Sequence, residues 1–265
     1  MEPLRVVVNA DDLGMSPAVD RAIFAGVDAG YLTSTSVLAN GPTVRDALRE
    51  LATLGPGARV SVGVHLNLTE FAPLTRSVEH LLDPDGRFDP DSRLVRRTDA
   101  DAVTAEWAAQ IRRVLDAGVR VSHLDSHQHV HHHPLLSPVL TALRARFGIA
   151  RVRGMGALRP KVGGSLGAQV HARLGALRQR ARADRFIHAL RRDGAVTTDG
   201  FASVSVFLAH AAALPREWRT VELMAHPGNP FSPAYPEEVE RLAAGALAAL
   251  PVRVEPVSWW EIAAR

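Results

Sequence analysis

The chain has 265 residues, 46% hydrophobic and 22% charged, with a net charge of +3, which fits an ordinary globular protein with a full core. It has no cysteine, which excludes a disulfide framework, a thiolate nucleophile and Cys-ligated zinc. Lys161 is its sole lysine, and the small net charge with few aromatics argues against nucleic acid as a partner.

No apolar stretch approaches the roughly 18 residues of a spanning helix. The chain enters a strand within a few residues and shows no apolar leader pattern. Together with the missing cysteine, this gives the expectation of a cytoplasmic protein.

The first apolar run, Leu4 to Ala10, reads as a strand buried on both faces, and it ends in two acids, Asp11 and Asp12. Ser16 is placed to cap a helix over 17–29 that opens on Pro17, where the missing N–H costs nothing. A strand over 35–39, a helix over 43–51 and a strand over 60–65 follow, the last ending in His65. The segment 69–101 contains Pro73, Pro84 and Pro90 and reads as a long loop over the strand ends, a lid or wall for a ligand. Then come a helix over 102–117, a strand over 120–124, a histidine-rich string from His123 to His133, a helix over 135–147 and a strand over 150–153. The segment 158–200 is Arg-rich, with a helix expected over 165–182. Strands over 202–207, 220–225 and 252–256 and helices over 236–250 and 259–264 complete the pattern.

Strands alternating with helices predict a parallel sheet, because parallel neighbours need crossovers. The first turn, Asp11-Asp12-Leu13-Gly14, is no glycine-rich phosphate loop. The predicted fold is therefore α/β, a distorted TIM-like (β/α) barrel. It forms a single domain over 1–265 with insertions at about 69–101 and 158–200. Barrel chemistry gathers at the carboxyl ends of strands, and Asp11, Asp12, Asn40, His65, His127, Arg153 and His226 all fall at or just past such ends.

Each of these residues also has an ordinary reading. One Asp at a strand end is commonly a helix cap, but Ser16 fills that role, which leaves two adjacent acids unexplained. His65 and His226 could be hydrogen-bonded core histidines. The string from His123 to His133 could be a surface tract that scavenges metals. Within it His127 is the best ligand candidate, Asp125 is placed to orient a neighbouring imidazole, and His131, His132 and His133 read as loop residues before Pro134. Arg153 is either the partner of Asp11 or a surface Arg. Taken together, carboxylates and imidazoles at several strand ends suit a divalent cation with open positions, an unbound carboxylate as base and an opposing histidine as acid. That is the equipment of metal-dependent amide hydrolysis.

The blocks Asn9-Ala10-Asp11-Asp12-Leu13-Gly14, Leu32-Thr33-Ser34-Thr35-Ser36, Gly63-Val64-His65-Leu66, His123-Leu124-Asp125-Ser126-His127 and Met224-Ala225-His226-Pro227 resemble the YdjC-like carbohydrate deacetylase family, including its chitooligosaccharide and hopanoid-associated branches. The resemblance implies a barrel of the polysaccharide deacetylase type and a divalent metal, Mg²⁺ or Zn²⁺, at Asp12, His65 and His127. It further implies Asp11 as general base, His226 as acid, an N-acetylated sugar as substrate and acetate as product. The division of labour between Asp11 and Asp12 rests on analogy and is open to reversal. The Arg-rich insertion is longer and more basic than expected for a chitooligosaccharide enzyme. It is either a solvated helix face or a peripheral contact with an anionic bilayer. Homo-oligomerisation is also open. Rival readings are an amidohydrolase or phosphoesterase on a barrel and a non-catalytic sugar- or lipid-binding barrel.

Overall fold

The computed structural model describes residues 2–54, 60–91, 99–155, 181–231 and 234–263. The strands are β1 (Leu4–Leu13), β2 (Ser34–Val37), β3 (Ser61–Leu66), β4 (Val121–Ser126), β5 (Arg151–Val152), β6 (Gly200–Ser203), β7 (Thr220–Ala225) and β8 (Val254–Pro256). The helices are α1 (Pro17–Asp28), α2 (Val44–Thr53), α3 (Ala100–Asp116), α4 (Ser137–Arg146), α5 described over 181–192, α6 (Val204–His210) and α7 (Ala234–Ala243).

All strand pairs are parallel, in the order β5-β4-β3-β2-β1-β7-β6, with β8 also paired to β1. Arg5 and Val6 pair with β7 and with β8, so β8 occupies the other edge of β1, below the point where β2 begins at Asn9. The two ends of the sheet meet through Val196, just before β6. Its carbonyl accepts from Val152 N and its N–H donates to Ala150 O, each at 2.9 Å. The result is a distorted barrel wrapped by helices.

Strand alternation gives the barrel two different faces. Val6, Val8 and Ala10 of β1, Val62, Val64 and Leu66 of β3, and Leu223 and Ala225 of β7 share one core with the helix residues Ile23, Ile111 and Leu140. The intervening residues point inward. Val7 meets Val196, Val257, Trp259 and Ile262 in a second, smaller core that forms the barrel floor. Trp259 donates its backbone N–H to Ser61 Oγ at 2.9 Å and stacks on His123, with ring centroids 5.0 Å apart. Gly63 has no side chain because none fits: a Cβ there would lie 2.4 Å from the His123 ring.

Ser16 caps α1 as expected, accepting from Val19 N. Three elements differ from expectation, the first being the helix expected over 259–264, which is a single 3₁₀ turn, Trp259–Glu261, followed by an extended Ile262. The strand expected over 202–207 ends at Ser203, whose hydroxyl accepts from Val206 N and starts α6; this cap outweighs the β-branched Val204 and Val206. The helix expected over 236–250 stops at Ala243, and Gly245 follows with φ 77°, a left-handed position that ends helices. The helix expected over 165–182 lies outside the described residues except for its last two, as does most of the Arg-rich insertion. Among the described residues, no helix is long and apolar enough to cross a membrane.

Candidate active site

β1 does not end before the two acids. It runs on to Leu13, and Asp11 and Asp12 sit inside it. Opposite β2 the register slips between Ala10 and Leu13, so β1 carries one residue more than its partner. Asp12 has φ 72°, a conformation Asp tolerates better than most residues. In a regular strand adjacent side chains face opposite ways. The bulge and the left-handed Asp12 instead bring both carboxylates to the same opening.

Asp11 is buried and held by three donors. Arg153 Nη2 donates to its Oδ1 at 2.6 Å, Arg153 Nη1 to its Oδ2 at 2.8 Å, and Asn9 Nδ2 to Oδ1 at 2.8 Å. Burial pushes the Asp11 carboxyl up, but Arg153, His65 and His226 together hold it well below the usual range. Arg153, fully buried, is thus the partner of Asp11 and not a surface Arg. It also reaches Asp125 Oδ2 and Glu222 Oε1, each at 2.9 Å.

His65 lies at the centre of the cluster. Its Nδ1 is 2.9 Å from Asp125 Oδ1, and Asp125 Oδ2 accepts from Ser36 Oγ at 2.9 Å. A carboxylate only accepts, so Nδ1 carries the proton and Nε2 is left with its lone pair. That lone pair faces Asp12 Oδ1 at 3.4 Å and Asp11 Oδ2 at 4.0 Å. Burial lowers the basicity of His65, and Asp125, Asp11 and Asp12 raise it past the usual value.

Past β4 the chain turns, with positive φ at Gln128 and His129. The period of two therefore stops at His127 and does not carry His129 and His131 to the same side. His127 Nδ1 lies 3.0 Å from Asp12 Oδ1, and its Nε2 lies 3.0 Å from Glu70 Oε2. Burial pushes this imidazole down; the two carboxylates override it and raise it to about 10. His131 is not the loop residue expected. It is fully buried, its Nδ1 2.6 Å from Ser126 Oγ and its Nε2 3.3 Å from Arg153 O, so it secures the backbone that carries Arg153.

His226 follows β7. Its Nε2 lies 3.9 Å from Asp11 Oδ2, and its ring stacks on Tyr235 at 4.3 Å. Asn40 does not touch these groups. Its amide donates to Glu70 O and Ala72 O, at 2.9 and 3.1 Å, and so secures the loop after β3. The cleft above the cluster holds about 600 Å³ and is edged by Phe71, Phe88, Phe231 and Tyr235, a volume typical of small-ligand sites.

Three sets of side chains bring potential ligand atoms within 4.8 Å of one another: Asp12, His65 and His127; Asp11, His65 and Asp125; and His123, Asp125 and Glu222. The last two sets already receive the Arg153 guanidinium. The first set lines the cleft and has two imidazoles, each backed by a carboxylate, which is the support metal-ligating histidines carry. The donor set therefore fits a divalent cation.

The family model described as "YdjC-like protein" matches residues 5–248. The chain belongs to the YdjC-like family. Carbohydrate deacetylases from Listeria monocytogenes (strain HCC23) and Halalkalibacterium halodurans are 35% and 34% identical over 151 and 150 residues. These matches cover 56% and 55% of this chain, and the chain spans only about 60% of those relatives' own length. An Enterococcus faecalis V583 structure, described as a candidate cellobiose-phosphate cleavage protein, superposes with a TM-score of 0.73 at 22% identity. That match covers 96% of this YdjC-like chain and 98% of the other, and it establishes the shared fold.

Reading the sequence alone missed Glu70, Asn229, Ser36, Glu222 and Tyr235. Asn229 Nδ2 donates to Asp12 Oδ2 at 3.2 Å. It lies three residues after His226, in a Pro-rich stretch. Glu70 closes the string that begins at His65, and that proximity was the one available signal.

Proposed function

We propose that this protein is a metal-dependent carbohydrate N-deacetylase, a hydrolase that removes the acetyl group from an N-acetylated sugar and releases acetate. The observation that carries the reading is the convergence on one oxygen. Asp11 Oδ2 lies 4.0 Å from His65 Nε2 on the ligand side and 3.9 Å from His226 Nε2 on the other. The curated relatives' name, carbohydrate deacetylase, supports the same chemistry.

Asp12, His65 and His127 would hold the divalent cation, Mg²⁺ or Zn²⁺. When bound, such a cation supplies Lewis acidity toward the acetyl carbonyl and makes water a stronger nucleophile. Asp11 is kept ionised by Arg153, and its Oδ2 is the oxygen that faces the reacting centre. There it takes the proton as water adds to the amide carbon. His226 delivers a proton to the departing nitrogen as the C–N bond breaks, leaving the free amine of the sugar and acetate. Tyr235 holds the His226 ring by stacking. Phe71 and Phe231, the latter 75% exposed, offer apolar surface to the faces of a sugar ring.

The test is acetate release from protein stripped with chelator and reloaded with Mg²⁺ or Zn²⁺. The substrates are N-acetylglucosamine, diacetylchitobiose and an N-acetylglucosaminyl lipid, with Asp11→Asn as control. Metal-dependent acetate from at least one, lost in the control, is the expected result. Turnover of phosphate esters or cyclic amides with none of the N-acetyl sugars would replace this reading with the phosphoesterase or amidohydrolase one.

A further inference from the structure

We propose, building on the metal-site reading above, that Glu70 is a positioning residue that sets metal affinity by fixing His127 in the tautomer that offers Nδ1, and not Nε2, to the ion. His127 Nδ1 lies 3.0 Å from Asp12 Oδ1, the same oxygen that sits 3.4 Å from His65 Nε2. Nδ1 is therefore the nitrogen on the ligand side. Nε2 points away from it and lies 3.0 Å from Glu70 Oε2. A neutral imidazole has one N–H, and a carboxylate only accepts. Without an ion both nitrogens face a carboxylate oxygen at 3.0 Å and both can donate; an ion beside Asp12 would take the Nδ1 position, and Glu70 then keeps the one remaining N–H on Nε2.

His65 is the complementary case. Asp125 takes its Nδ1–H, which leaves Nε2 for the site. The two imidazoles thus offer opposite nitrogens because their supporting carboxylates stand on opposite nitrogens. The supports also differ. Asp125 is sealed and shares its charge with Arg153 and Ser36. The Glu70 side chain is 29% exposed at the cleft wall.

The loop that presents Glu70 is secured by other groups. Its carbonyl accepts from Asn67 Nδ2 at 2.7 Å and from Asn40 Nδ2 at 2.9 Å. Asn67 in turn exchanges two 2.8 Å hydrogen bonds between its backbone and the Gln110 side chain of α3. Truncating the Glu70 side chain therefore leaves its own backbone anchored. This gives Asn40 a role as well: it acts on the site through the Glu70 carbonyl.

The experiment uses the full-length chain, stripped with chelator and titrated with Zn²⁺ by competition against a chromophoric chelator. Glu70→Ala and Glu70→Gln are compared with wild type, alongside Tm and ¹⁵N-histidine spectra of the loaded proteins. Glu70→Ala should bind Zn²⁺ about 10- to 100-fold more weakly with little change in Tm. Glu70→Gln should recover most of the loss, because its amide oxygen accepts the same N–H. The loaded wild type should show His127 protonated on Nε2. Wild-type Zn²⁺ affinity in Glu70→Ala, or a His127 Nδ1–H in the loaded protein, would overturn the inference while leaving the metal site standing. Failure of wild type to bind Zn²⁺ would remove both.

Discussion

The outward and inward faces of the same strands follow opposite rules. Outward, Val6, Val8, Leu223 and Ala225 are fully buried in a continuous apolar core. Inward and above the floor, Asn9, Asp11, His65, Asp125, Arg153 and Glu222 are equally buried, yet all are polar or ionisable. Apolar burial on one face stabilises the fold at roughly 25 cal/mol per Å². The charges on the other face are costly to bury and persist because each is paired. Arg153 alone meets three carboxylates. One face therefore holds the barrel together, and the other spends part of that stability on a preorganised site.

The largest expected effect comes from the inward face. Asp11→Asn should lower acetate release by about 10³-fold or more, since it removes the proposed base and one of the carboxylates that pair with Arg153. Its Zn²⁺ affinity, read in the same competition titration, should stay within a few-fold of wild type. Loss of metal along with activity would make Asp11 a ligand and reverse the roles of the two acids.

On the outward face, Leu223→Ala should cost about 2–5 kcal/mol in urea unfolding, while the kcat of the folded fraction is unchanged. A large kcat loss at full folding would break the division between the two faces. A smaller cost is expected where the inward face meets the floor. Gly63→Ala presses a methyl into the His123 ring, itself stacked on Trp259, and should destabilise by about 1–3 kcal/mol. Activity should fall only as far as the ring's displacement moves Asp125.

The smallest effect sharpens the comparison through pH. Burial, with Asp125 and Asp11, pushes the Glu222 carboxyl up from 4.5 to about 7, although Arg153 pulls it down. Because the folded value lies above the unfolded one, the folded state holds this proton more tightly. The group's contribution to stability is greatest at low pH and is lost as pH rises from about 4.5 through 7. Glu222→Gln keeps an acceptor for Arg153 without the titration. The Tm difference, variant minus wild type, should therefore increase from pH 5 to pH 8. A flat or falling difference would show that Glu222 ionises freely in the fold.

Much of this was legible in the sequence for a physical reason. Alternating strand and helix periods gave the parallel barrel, and β7 was read to the residue as Thr220–Ala225. Asp11, Asp12, His65, His127 and His226 stood out as candidates because several ionisable residues gathered at the ends of apolar runs are costly to bury without partners. The bulge at Asp12 was not legible, since a strand pattern says nothing of an extra residue opposite a neighbour. The Arg153–Asp11 pair was legible only as one of two alternatives, because it joins residues 142 positions apart, and burial with two hydrogen bonds decides for it. Glu70, His131 and Glu222 were hidden for a similar reason. Their roles depend on which atom each faces across the barrel, and local periodicity does not encode that.

The most direct test of the central claim is a stoichiometric one. Stripped protein is titrated with Zn²⁺ while acetate release from diacetylchitobiose and bound metal are followed on the same samples, in wild type and His65→Ala. The account predicts that wild-type activity rises in proportion to bound metal and saturates at one ion per chain, with neither binding nor activity in His65→Ala. Acetate release that persists in stripped protein, or that survives in His65→Ala, would contradict it.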